Sequence, residues 1–159
     1  MTPRDRTAHG RFRILVIANE TLVGEGFHDF VTSHAVGRPV DVLIVAPALN
    51  SRLRHWMSDG DGARRNAEER LERSLGLLAD AGIAAYGWVG DADPLAAIED
   101  ALAIFTADQL IISTHPEERS NWLARDVVGR ARERFGLPLA HVVVGSGVRD
   151  DQAVVAVVA

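Results

Sequence analysis

The sequence predicts an open α/β fold: a doubly wound parallel sheet with helices on both faces. Three observations carry this. Short apolar runs alternate with helical stripes along the whole chain. Most of the runs are apolar at nearly every position, as strands covered on both faces are. The punctuation between them is that of helix caps, with a carboxylate and proline at one start and glycines at two ends.

Residues 1–11 are polar and basic and are read as a flexible N-terminal segment without the apolar core of a signal peptide. Phe12–Ala18 (FRILVIA) is the first strand, and Val23, Phe27, Phe30 and Val31 mark the first helix. Val40–Ala46 (VDVLIVA) is the second strand. The connection from Pro47 to Gly62 is longer than most in compact domains, and loops of that length are often functional. Leu71, Leu75 and Leu78 form the next helical stripe, closed by Gly82. Ala84–Val89 is the third strand. Asp93-Pro94 starts a helix carrying Leu95, Ile98, Leu102 and Phe105. Gln109–Ser113 is the fourth strand. The last helix is expected to take Ser120 as its N-cap, to bury Leu123, Val127, Ala131 and Phe135, and to end at Gly136. Ala140–Val144 is the fifth strand. Residues 12–145 thus form one α/β domain. The 146–159 tail ends in AVVAVVA, which is expected to pair as an extra edge strand, within the chain or across a dimer.

Composition narrows the classes of function. At 159 residues the chain is one domain able to bury roughly 70% of its unfolded surface. A net charge of -5 argues against non-specific nucleic-acid binding, which needs a basic footprint. Cysteine is absent, which excludes disulfides, thiolate metal sites and a cysteine nucleophile, and fits a cytoplasmic protein. No apolar run reaches the length of a membrane helix. The six histidines show no paired ligand spacing, and Asp59-Gly60-Asp61-Gly62 reads as a turn and helix start before it reads as a cation loop.

Several phrases in this order resemble the universal stress protein family, small α/β domains that often bind ATP. They are RILVIANE, VDVLIVAP, VGDADPLAAIEDAL, ADQLIISTHP and FGLPLAHVVV, and the resemblance runs from about Arg13 to Val144. It implies a strand order of 3-2-1-4-5, a homodimer, and a role in stress response. ATP-binding members carry G-x-x-G-x9-G-[ST] after the fourth strand, glycines that let backbone amides approach phosphates. Here Ser113 and Pro116 occupy the first two glycine positions, and the third falls at Arg125 or Asp126. Asn19 stands where such members often place an aspartate on adenine, and Ala46 falls where an adenine wall would be.

With that order, ligands are expected beyond the carboxyl ends of strands one and four. Three segments converge there: Asn19-Glu20-Thr21, the long loop with Arg52, Arg54, His55 and Trp56, and Ser113-Thr114-His115 with Arg119 and Ser120. The expectation is a side-chain-built anion site, aided by the positive end of the last helix. Asn19 and Ala46 would face a base; Ser113, Thr114, His115 and Arg119 would hold the anion; Arg52 and Arg54 would close over it. This implies a non-catalytic ligand-binding or regulatory protein taking an adenine nucleotide or another phosphorylated small molecule. The alternatives are a dimeric interaction module without nucleotide binding and, more remotely, a nucleotide hydrolase or transferase.

Overall fold

A computed structural model describes residues 10–18, 30, 31, 33, 35, 37–48, 60–114 and 126–143. Five strands form one sheet: β1 (Phe12–Ala18), β2 (Val40–Pro47), β3 (Ala84–Gly90), β4 (Gln109–Thr114) and β5 (Leu139–Val143). Their order is β3-β2-β1-β4-β5, with every neighbouring pair parallel. The expected order and the five expected strands of the domain are therefore correct, while the 146–159 tail, expected to pair as an edge strand, lies outside the described residues. β2, β3 and β4 each run one residue beyond the expected end, and β5 starts one residue early.

The connections are helical, as parallel crossovers require. They include α1 (Gly60–Asp80), α2 (Pro94–Ile104) and α3 (Val127–Phe135). Phe30, Val31, Ser33 and Ala35 are also helical, so part of the first expected helix is present, while Val23, Phe27 and Leu123 lie outside the described residues.

Strand alternation divides the apolar residues between two cores. One face of the sheet holds Ile14, Val16, Val42, Ile44 and Ile111, covered by Ala67, Leu71 and Leu78 of α1 and by Phe30 and Val31. The other holds Leu15, Ile17, Leu43, Leu110 and Ile112, covered by Leu95 and Ile98 of α2 and Val127 and Ala131 of α3. Each fully buried aliphatic side chain contributes about 1.5–3 kcal/mol, so β1, with only Arg13 exposed, anchors both layers.

Asp93 caps α2 by accepting from the Leu95 N–H at 3.0 Å, and Asp91 accepts from the Asp93 N–H at 2.8 Å. Both aspartates are thus occupied in a turn. Gly82 and Gly136 follow α1 and α3 with φ of 76° and 60°, the left-handed conformation that glycine tolerates. The start of α3 departs from expectation. Its N-cap is Asp126; the expected cap, Ser120, lies outside the described residues. Asp126 takes φ 51° and accepts from the Gly129 N–H at 3.2 Å. The carboxylate lies where a Cβ on residue 129 would sit, so the glycine makes this cap feasible.

A substitution tests this cap. Asp126→Ala removes it and leaves an alanine in the left-handed region, at an expected cost of about 2 kcal/mol. Asp126→Gly removes the cap but relieves the backbone and should cost less than half as much. Urea unfolding midpoints of the two variants read the difference.

Candidate functional site

The carboxyl edge of the sheet is set by β1 and β4, because the chain order reverses between them. Ala18 is level with Ser113. Ile17 is level with Val45, so Ala18 and Ala46 form the next pair across β1 and β2. Ala46, Ala18 and Ser113 therefore make a lateral row, all three fully buried. Two residues earlier the same face carries Ile44, Val16 and Ile111. The core thus steps from large side chains to small ones as it reaches the edge.

Ser113 adds a second feature. Its side chain faces the same layer as Ile111, and its partner across β5 is Val142. The hydroxyl is sealed from solvent and has no hydrogen-bond partner among the described residues. A buried hydroxyl in that condition costs about 1–3 kcal/mol in lost hydration. Unpaired polar groups of this kind call for an explanation, and a functional role is one.

Thr114 does not join Ser113. Alternation turns it to the opposite face, with Leu110 and Ile112. There its Oγ1 lies 2.7 Å from Nε2 of His141 on β5, and both side chains are buried. Burial pushes the His141 pKa below its ordinary value, and the positive charge of Arg132 lowers it further. The neutral ring is the stable form, and the pair is hydrogen-bonded whichever ring nitrogen carries the proton. His141 was not singled out from the sequence. The available signal was a histidine inside an apolar strand, level with Ile112 and two positions from Thr114.

The helix end expected to draw an anion, at Ser120, lies outside the described residues; α3 as described begins after Asp126. Asp126 sits at the N-terminus of α3, and its carboxylate satisfies the Gly129 amide. A phosphate there would meet like charge. Asn19, Arg52, Arg54, His115, Arg119 and Ser120 lie outside the described residues, as do Trp56 and Trp122.

Arg70 is the other residue that the sequence reading missed. It lies on α1, beside Leu71, and its Nη2 donates to the Pro47 carbonyl at 3.0 Å. Pro47 is the last residue of β2, so the guanidinium is held at the carboxyl edge. No sequence signal separates it from the neighbouring charges of NAEERLERS.

Among the described residues no cluster of three or more metal-type ligands occurs, and no helix is long and apolar enough to cross a membrane. A cleft of about 280 Å³ lies elsewhere, lined by Leu95, Arg130, Glu133 and Arg134. Arg134 is already paired with Glu99 at 2.6 Å.

The fold and edge define an open, doubly wound α/β domain with a polar position buried at its topological switch point. Compared with models of known protein families and with curated proteins, the chain matches none.

Proposed function

We propose that this is a universal-stress-protein-like, non-catalytic ligand-binding protein acting as a homodimer. Its ligand is an adenine nucleotide or another phosphorylated small molecule, taken at the carboxyl edge of the sheet. The observation that carries the reading is the buried Ser113 hydroxyl, without a partner among the described residues, beside the small side chains of Ala18 and Ala46. A polar group placed at the switch point of such a sheet is positioned for a ligand. Asn19 directly follows Ala18 in sequence, and the 115–120 stretch directly follows Thr114, so further polar groups adjoin the same strand ends.

A second reading is favoured by Asp126. A carboxylate at the N-terminus of α3 opposes the phosphate placement of ATP-binding relatives. On that reading the domain is an interaction module, with the 153–159 tail supplying its contact.

Native mass spectrometry of the purified protein, followed by denaturing release of small molecules, separates the two. A dimer carrying a nucleotide or phosphorylated metabolite supports ligand binding. A protein that carries none, and binds none in a titration with such compounds, overturns it in favour of the interaction module.

Ser113→Ala should raise stability by about 1 kcal/mol, because it removes an unsatisfied buried hydroxyl. The same change should weaken the ligand by roughly fivefold through one lost hydrogen bond. Gains in stability with unchanged affinity would remove Ser113 from the site.

A further inference from the structure

We propose that two copies of this chain pair through β3, their edge strands running antiparallel and joining two sheets into one. The assignment names the surface behind the homodimer reading and rests on that reading. Among the described residues β3 has a strand on one side only, because the sheet order ends with it. Edge strands are normally guarded by charge, proline, a bulge or shortness. β3 spans seven residues, AAYGWVG, in unbroken register with β2, and carries none of these guards. The uncharged run extends from Ala81 to Gly90, on a chain of net charge -5.

The outward backbone groups can be assigned. The Gly90 carbonyl accepts from the Ala48 N–H at 3.2 Å, so Gly90 turns its backbone polar groups toward β2. That direction alternates along a strand. Tyr86 and Trp88 therefore also bond β2, while Ala85, Gly87 and Val89 present N–H and C=O outward. Ile83 closes the set, because its N–H donates to the Leu78 carbonyl at 2.9 Å. The outward groups are thus symmetric about Gly87. An antiparallel pair with its two-fold axis at Gly87 matches all of them: Gly87 bonds the partner's Gly87, and Ala85 bonds the partner's Val89.

Side chains and charge fit a second copy in that register. Tyr86 falls opposite the partner's Trp88 in a non-hydrogen-bonded pair, where Cα atoms approach to about 4.5 Å and aromatic pairs stabilise a sheet. Asp91, the first charge beyond β3, falls opposite the partner's uncharged Ile83, so the two acidic copies bring no like charges face to face. Leu77, Tyr86 and Ile104 are the large apolar side chains left exposed among the described residues. They lie on β3 and on the helices before and after it, α1 and α2. Ile104 directly precedes Phe105, whose ring meets Tyr86 edge-on with centroids 6.2 Å apart.

Sedimentation velocity and cysteine cross-linking of the full chain test this pairing. Wild type should sediment as a dimer. Tyr86→Lys puts a charge on the edge, and Ala85→Pro removes an outward donor without touching the ladder to β2; each should sediment as a monomer. Thermal unfolding checks that both fold, and cross-linking carries the test if they do not. The chain has no cysteine, so introduced thiols report only their own pairing. Ala85→Cys and Val89→Cys in one chain would face each other across the axis with Cα atoms about 5.5 Å apart, within disulfide range. That double variant should form covalent dimers on mild oxidation. Each single variant should not, because its thiol lies roughly 13 Å from its copy along the strands. Folded Tyr86→Lys and Ala85→Pro variants that stay dimeric, or single cysteines that cross-link as readily as the pair, overturn the β3 pairing and leave the homodimer to another surface, the 153–159 tail included. A monomeric wild type overturns the pairing and the homodimer together.

Discussion

Gly87→Ala should destabilise the protein by about 3 kcal/mol, lowering Tm by about 6–12 °C for a chain of this size. The reason is local. Gly87 is level with Ile44 in the β2–β3 pair, and a Cβ there would collide with the Ile44 carbonyl oxygen and with Leu71 Cδ1, at 2.7 Å. The first obstacle is backbone, which cannot rotate away. The second belongs to the layer joining α1 to the sheet. Relief requires β3 to move outward, which loosens its hydrogen bonds to β2 and lifts Leu71 from its seat. Gly76→Ala is the control. Gly76 lies within α1 with open space around its Cα, so the same substitution there should stabilise by about 0.5–1 kcal/mol. Opposite signs at the two positions in thermal and urea unfolding are the expected result. Equal effects would show that β3 yields at little cost.

The second large effect is at Thr114 and His141. Either Thr114→Val or His141→Phe removes half of a buried hydrogen bond and strands the other polar atom, costing about 2–3 kcal/mol. The double variant replaces both polar groups by apolar ones and should cost less than the sum, with a coupling of about 1–2 kcal/mol. The pair also gives stability a pH dependence of defined sign. The folded state holds the His141 pKa below its ordinary value of 6.5. Above that value both states are neutral and the pair's contribution is intact. As pH falls from 6.5 toward the lowered folded pKa, the unfolded chain takes up the proton first, and stability is lost. The charges facing this ring include Arg132 of α3, which strengthens the effect. His141→Phe should flatten the stability profile between pH 6.5 and the acid range where carboxylates titrate. An unchanged slope in that variant would assign the dependence to another group.

The sheet was legible in the sequence because both of its signals are local. Continuous apolar runs such as FRILVIA need no knowledge of their partners, and Asp93-Pro94, Gly82 and Gly136 act on backbone within a few residues. The Asp126 cap of α3 was not read from the sequence, and the expected cap, Ser120, lies outside the described residues. Ser120 fits the pattern of a capping hydroxyl, whereas Asp126 depends on Gly129 having no Cβ beneath its carboxylate. The site was legible only in part. Ser113 and Ala46 follow from knowing where strands end, but adjacency in sequence placed Thr114 with them, and the pleat sends it to the other face. His141 and Arg70 act through contacts across 27 and 23 residues of sequence, to Thr114 and Pro47. Nothing in their immediate neighbours encodes those meetings.

The clasp between Arg13 and Asp108 has a consequence for how the chain comes together. The Asp108 N–H donates to the Arg13 carbonyl at 2.8 Å, and its carboxylate accepts the Arg13 N–H at 2.9 Å, joining positions 95 apart. β1 leaves the ribosome before β4, whose flank arrives 95 residues later. At about 5–20 residues per second that interval is roughly 5–20 s. β2 can shield one side of β1 soon after it emerges; the other side must wait, with a largely apolar strand offering an unpaired edge to neighbouring chains. Yield during synthesis should therefore be set by this interval, and not by the stability of the finished sheet.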